Sequence, residues 1–565
     1  MQRGIVFLDC LCLFLAVSCG KLSTRGVVNI EEALKIEVLN GKNTHVVSGW
    51  CYDDTLFVAV PSYVCDDSLK IYLACGERFD VTDTLTDEIV SFVHPEYGYK
   101  VKGKRDYVLV ILKSANIPTV YIDTESGSDE YINEDKSHKE RCNLLVINSD
   151  GEVSYSFYGF GCSIKGRGNS TWRMEKKPYL LKLPKKSSFL GMKPAKKWVF
   201  LANAADQTNL RNKIVYDFAR RIDFGFVPDS RYADVFLNGK YNGLYLITEK
   251  VEYAENRLYM PDCDSLFLFH QTSSFQGKGR DNCFVTELGQ EIVIDYPEDY
   301  TEKSYETARF VVQNMEFLIM GDQDAEFEKH FDFNSWICKF LIDDVFENTD
   351  CDFLSSYFYA VYYGENVKYY AGPIWDYDKS IGGNWCNYDS DMFFAYRIWK
   401  HKKEYTPYYH SLYDKPLFRE KVCEKYEKVF CPLLGDLVYG KGIDDLAEEI
   451  AVASFINSKR WFSIVNAPPK NSSIPELVEH LMKRMELLNK VYIEQKPYIL
   501  VSYESLIKIG YYHYKLIPVG HKLDQSMLVG AEQTPDVVWV EKGTNLPFDF
   551  GRELTEDIIL DILEK

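Results

Sequence analysis

The stretch from Glu347 to Gly383 constrains the fold most, because a loop acid, a hairpin and a pair of acids follow a helix end within one short span. Residues 334–347 read as a helix ending in Asp343-Asp344-Val345-Phe346-Glu347, and Asn348-Thr349-Asp350-Cys351-Asp352 comes next as a loop. The aromatic and β-branched runs 357–363 (YFYAVYY) and 367–375 (VKYYAGPIW), with Gly364 at the bend, predict a hairpin. Asp376-Tyr377-Asp378 comes directly after it, and two acids spaced by one residue share a face of an extended chain. Helix and hairpin in such close succession place the chain in the α+β class.

The rest of the chain extends that picture. Residues 20–105 are short apolar runs split by turns, predicting a small β-rich module, and strands continue through 106–165 around a polar loop. Gly166-Arg167-Gly168-Asn169-Ser170-Thr171 is a turn between strands, and the next strand, PYLLKL, carries Lys182. In TNLRNKIVYDFARRIDF, Leu210, Ile214, Phe218 and Ile222 fall on one helical face, with Asp206 or Thr208 as cap. ADVFLNGKYNGLYLITEKV is two strands joined at Asn238-Gly239, a strong hairpin signal. Residues 302–325 predict a further helix, 412–495 read as mainly helical, and the tail from about 498 reads as short strands ending in a helix, TEDIILDILEK.

Composition removes several functions. The 565 residues exceed one hydrophobic core, and a net charge of −19 argues against nucleic-acid binding, which needs a basic face. Neither H-E-x-x-H nor G-x-S-x-G occurs, so a metalloprotease and a nucleophile-elbow hydrolase lack their motifs. The 15 Cys include no C-x-x-C pair, which argues against a zinc site. Arg3, the apolar run from Ile5 to Val17 and the small residues Ala16-Val17-Ser18-Cys19 read as an export signal over residues 1–19, with Cys19 a candidate for lipid anchoring. The Asn169-Ser170-Thr171 sequon is discounted because that signal looks bacterial.

Acids beside turns are commonly solvated residues or caps, and the bare D-x-D pattern leans that way. Protein kinases nevertheless use this ordering: one Asp positions the substrate hydroxyl and accepts its proton, and a second, past the next hairpin, holds the magnesium bridging the phosphates. The glycines of the Gly166–Thr171 turn let backbone N–H groups approach an anion, and a cation on the following strand stands where a kinase keeps its phosphate-holding Lys.

Four blocks in order resemble the spore coat protein H (CotH) kinase family: IKGRGNSTWRMEKKPYLLKL, KKWVFLANAADQTNLRNKIVYDFARRI, LNGKYNGLYLITEKV and ENTDCDFLSSYFYA…GPIWDYDKSIGG. The resemblance covers roughly residues 140–420. It implies an atypical protein-kinase-like fold over 106–495, with the N-terminal β-rich module, a helical C-terminal part and a small segment over 496–565. It also implies an exported phosphotransferase acting on Ser or Thr of secreted or surface proteins, using ATP with Mg²⁺ or Mn²⁺. By position, Asp350 matches the catalytic acid. Asp376 matches the metal-binding Asp, with Asp378 beside it and Ser355 as further candidate metal ligands. Arg167, Gly168, Asn169, Lys182 and Glu249 fall in the blocks beside the nucleotide. Ser355 stands where ordinary kinases place a metal-binding Asn, so a catalytically weak surface module binding a protein or glycan is the alternative.

Overall fold

The computed structural model describes residues 34–40, 43–52, 55–64, 69–73, 80–81, 99–102, 106–272, 281–321, 324–348, 350–351, 354–383, 408–461, 473–504, 512–528, 537–544 and 546–563. The export signal with Cys19, and Asp352, lie outside them. The chain divides into two compact units, one of residues 1–58 and 66–111 and one of 59–65 and 112–565.

The described residues of the first unit are mostly strands. Leu34–Asn40 pairs antiparallel with Asn43–Ser48 and with Leu69–Leu73. Tyr99–Lys102 pairs with Asp80–Val81 and with the start of Asp106–Lys113.

The second unit opens with a closed sheet. Its strands are β1 (Thr119–Thr124), β2 (Lys139–Ile147), β3 (Val153–Gly166), β4 (Tyr179–Phe189) and β5 (Met192–Leu201); then, after helix α1 (Arg211–Arg220), β6 (Ser230–Leu237) and β7 (Lys240–Glu249). They neighbour one another in the order β5-β4-β3-β2-β1-β6-β7, and β5 also pairs with β7, so the ring closes. All these pairings are antiparallel except β1 with β6. Side chains alternate across each strand. Ile164, Leu181, Trp198, Phe200, Tyr245 and Ile247 fill the inside of the ring. Leu180, Val199, Leu244 and Leu246 face outward into the larger core of the unit. The β6–β7 turn falls at Asn238 and Gly239, whose φ values of 51° and 76° are the left-handed pair such a two-residue turn needs.

A second sheet of five strands has the order β9-β10-β8-β11-β12, from β8 (Ser265–Thr272), β9 (Cys283–Val285), β10 (Glu291–Tyr296), β11 (Tyr357–Tyr363) and β12 (Asn366–Ala371). Helices α2 (Glu302–Met320), α3 (Asp324–His330) and α4 (Phe333–Val345) precede the β11–β12 hairpin, and α5 (Tyr408–Asp414), α6 (Pro416–Lys425), α7 (Cys431–Tyr439), α8 (Gly442–Arg460) and α9 (Ile474–Leu488) come after it. The chain is thus α+β, with a strand-rich N-terminal half and helices toward the C-terminus. Leu210, Ile214, Phe218 and Ile222 of the α1 segment are all buried in the main core, each contributing roughly 2 kcal/mol of burial.

Two expectations are corrected. The helix predicted over 302–325 ends at Met320, where Gly321 turns extended, and α3 begins separately at Asp324. The predicted final helix is a strand, β16 (Ile558–Ile562), in a four-stranded sheet with β13 (Tyr498–Glu504), β14 (Tyr512–Pro518) and β15 (Trp539–Glu541). Ile558 and Leu560 are buried while Ile559 and Asp561 are not, a period of two, and pairing with Val501–Tyr503 overrides helix propensity. Among the described residues no helix is long and apolar enough to cross a membrane.

Candidate active site

Two loops carry the acids. The first leaves α4, where Glu347 turns left-handed (φ 51°) and the Asn348 N–H bonds back to the Asp343 carbonyl at 2.9 Å. The Asn348 side-chain oxygen then accepts from the Asp350 backbone N–H at 3.1 Å, a local Asx turn that sets the acid's position. The loop closes onto β8 through two backbone bonds of 3.0 Å, Ser355 N–H to the Gln271 carbonyl and Gln271 N–H to the Ser356 carbonyl.

The second loop leaves β12 at Gly372, whose φ of 94° and close approach to the Phe224 ring leave no room for a Cβ. Asp376 sits at φ 69°, a conformation uncommon outside glycine and frequent at functional sites. Helix α1 fixes the remainder of this loop. The Asn212 side-chain oxygen accepts from the Tyr377 N–H at 2.8 Å, and Arg211 Nε donates to the Ser380 carbonyl at 2.8 Å. Arg211 is itself buried and paired with Asp206, which also accepts from the Arg211 backbone N–H at 2.9 Å. The N-cap of α1 is Leu210, with no side-chain cap bond; Asp206 takes the first helical N–H, and the Thr208 hydroxyl oxygen accepts from the Leu210 N–H at 3.3 Å.

The loops bring Asp350, Asp376, Asp378 and Ser355 together. Ser355 Oγ donates to Asp376 Oδ2 at 2.9 Å. Asp378 is 6% exposed. Burial, then the Asp376 and Asp350 charges, push its carboxyl up to about 7, opposed by Lys379. Lys379 Nζ lies 3.7 Å from Asp350 Oδ2. Arg167 reaches the same place from the closed sheet, its guanidinium 5.2 Å from the Trp375 ring centroid. Burial depresses the Arg167 pKa, and the Asp376 charge counters that effect first. The phenols of the buried Tyr216 and the partly buried Tyr357 stand in the field of Asp376 as well, and desolvation drives both far above the ordinary phenol range.

The other expected residues lie apart from the acids. Gly168, at φ 84°, makes the turn, and its carbonyl accepts from Lys136 Nζ at 2.9 Å. Asn169 is exposed, with its side-chain oxygen 3.4 Å from the same ammonium. Lys182 is exposed on the outer face of β4, opposite Lys197 of β5 and within the field of Glu298. Glu249 is buried, its Oε1 bound to Arg257 Nη1 at 2.6 Å and its Oε2 accepting from the Asp229 N–H at 3.1 Å. A cavity of about 460 Å³ is lined by residues that include Lys197, Tyr253, Arg257, Asp295 and Glu298; neither Lys182 nor Glu249 lines it, though Lys182 pairs in register with Lys197 and Glu249 is bound to Arg257. Asp295, paired with His270, also lies in the field of Tyr357, the phenol shared with Arg167 and Asp376.

Several residues of the site carry no motif of their own. Lys379 comes after the acid pair but belongs to no spacing rule, and the Asp206–Arg211–Asn212 support is visible only once α1 is packed on the second loop. Among the described residues, no three His, Cys, Asp or Glu side chains stand ready to hold a metal ion unaided.

Known proteins share this region. The family model described as CotH kinase protein matches residues 164–488, more than half of the chain and the whole of the acid cluster with its supports. The inner spore coat protein H of Bacillus subtilis (strain 168) is 26% identical over 222 residues, 38% of this chain and 58% of that protein. The chain thus spans little more than half the length of the curated relative it matches. On the match to the family model, the chain belongs to the CotH kinase protein family.

Proposed function

We propose that the chain is an ATP-dependent protein Ser/Thr kinase of atypical kinase-like fold, with its chemistry at Asp350 and Asp376. The observation that carries this function is the meeting of Asp350, Asp376 and Asp378 with the cations Arg167 and Lys379 at the junction of two loops. Phosphoryl transfer is mostly positioning and charge stabilisation, and it needs such a mixed set.

In this function Asp350 orients the acceptor hydroxyl and takes its proton. Lys379, beside it, offsets charge between the carboxylate and the arriving phosphoryl oxygens. Arg167, stacked toward Trp375, attracts the polyphosphate. The acid pair fits a hard dication, Mg²⁺ or Mn²⁺, because its donors are oxygens and because Lys379 only partly offsets the Asp376 and Asp350 charges that crowd Asp378. Asp376 and Asp378 would hold that ion, with Ser355 a neutral neighbour, and bound metal would supply charge stabilisation on the nucleotide phosphates. The cavity beside Lys197 and Asp295 falls within the size range of small-molecule sites, so it is assigned to the nucleotide, with Lys182 and Glu249 one residue removed from its lining through Lys197 and Arg257.

Residues 106–495 form the kinase-like domain in this reading, with 20–105 and 496–565 as attachments. An export signal, surface proteins as acceptors and anchoring through Cys19 complete it, supported by the N-terminal sequence and by the spore coat name of the relative. Phosphate transfer from labelled ATP to casein, with Mg²⁺ or Mn²⁺, tests the function. Asp350→Ala abolishes transfer and leaves nucleotide bound, whereas Asp376→Ala weakens metal–nucleotide binding itself. Wild-type protein that neither binds nucleotide nor transfers phosphate contradicts it.

Ser355 favours a second reading, a surface module that binds a protein or glycan without catalysis, because its hydroxyl already donates to Asp376. A thermal shift separates the two: saturating ATP and metal stabilise a kinase by about 3 kcal/mol at a hundredfold excess over Kd. A shift seen only with glycan or peptide supports the module.

A further inference from the structure

We infer that Asp343 is a positioning residue that holds both acid loops in one register, although it touches neither acid. The inference rests on the kinase function proposed above.

Asp343 lies on α4 and is fully buried, as is the network around it. Its carboxylate takes donors from four directions. Asn348 Nδ2 donates to Oδ1 at 3.0 Å, and the Tyr377 hydroxyl donates to the same oxygen at 2.6 Å. The Tyr409 hydroxyl donates to Oδ2 at 2.6 Å, and Lys339 Nζ donates there as well. An ionised carboxylate has about four acceptor sites, so these donors satisfy it.

The partners make this more than a satisfied core acid. Asn348 passes the constraint on, because its own oxygen accepts from the Asp350 N–H. Tyr377 stands between Asp376 and Asp378 in the chain, so its ring fixes the backbone from which both acids project. One oxygen of Asp343 therefore serves one arm to the proton-accepting acid and another to the metal-holding pair. A buried carboxylate of purely structural use would need only its Lys339 pair and any two local donors. Here two donors come from the two functional loops, which are 29 residues apart between Asn348 and Tyr377 in sequence.

The arms can be cut one at a time in the full chain. MgATP affinity is measured by calorimetry, turnover with labelled ATP and casein, and folding by thermal melting. Asn348→Ala cuts the arm to Asp350, and turnover falls about 100-fold while MgATP affinity stays within about twofold of wild type. Tyr377→Phe cuts the arm to the acid pair, and MgATP affinity falls about tenfold. Asp343→Ala removes the shared acceptor and shows both losses, and adding Tyr377→Phe to it weakens affinity no further, since the bond is already gone. Where Asp343→Ala does not fold, the opposite profiles of the two single-arm variants carry the test. An active wild type whose variants melt earlier but keep turnover and affinity, or lose both in equal proportion, overturns the positioning role alone. A wild type without nucleotide binding or transfer overturns the kinase function and the positioning role with it.

Discussion

At the scale of single residues, the chain keeps several ionisable groups out of water and ties each to a partner. Glu316 is an instance remote from the acid loops. It is 3% exposed, accepts from Thr286 Oγ1 at 2.8 Å and from the Tyr408 hydroxyl, and burial raises its carboxyl from 4.5 to about 7. The raised value fixes the sign. Below about 4.5 both folded and unfolded chains hold the proton. As pH rises through 7 the folded protein must ionise a buried acid, so the stability this group contributes is lost. Glu316→Gln keeps an acceptor for both hydroxyls and removes the charge. The variant is expected to be more stable than wild type at pH 8 by on the order of 2–3 kcal/mol, with the gap closing by pH 5 in urea titrations. No sequence pattern marks Glu316, because its environment is assembled from β9 and α5, which are distant in the chain.

At the scale of elements, α1 is where sequence and site meet. Its apolar stripe was legible from spacing alone; its N-cap was not, because Leu210 takes that position and Asp206 reaches only the first helical N–H. The polar face was not, because Arg211 and Asn212 acquire their meaning only from the loop after β12, about 165 residues later. Asp206→Ala leaves the Arg211 guanidinium buried without its carboxylate, and an uncompensated buried charge costs about 3–5 kcal/mol. A drop of that size in denaturant unfolding is expected, together with weaker MgATP binding, since the second loop rests on Arg211. The same distinction explains the terminal strand. Local propensity in TEDIILDILEK favoured a helix, and pairing with β13 on one side and β15 on the other decides for β16.

At the scale of the whole molecule, the α+β class and the ordered blocks were legible because hairpin turns and apolar periods are local signals. Asp350, Asp376, Asp378 and Ser355 were legible as a group because they flank one hairpin. Lys182 and Glu249 stand apart from the acids because a strand position does not tell which cleft a side chain faces: Lys182 lies on the outer sheet surface and Glu249 is bound to Arg257. What unites the molecule is that the closed sheet, α1, α4 and the five-stranded sheet each contribute to the same acid cluster. The most direct test of that cluster's role is transfer of labelled phosphate from ATP by purified wild type and by Asp350→Ala, with nucleotide binding measured in parallel. A kinase with Asp350 as its proton acceptor transfers phosphate as wild type only, with nucleotide bound by both proteins. Equal transfer by the two proteins, or none by either with no nucleotide bound, would contradict that role.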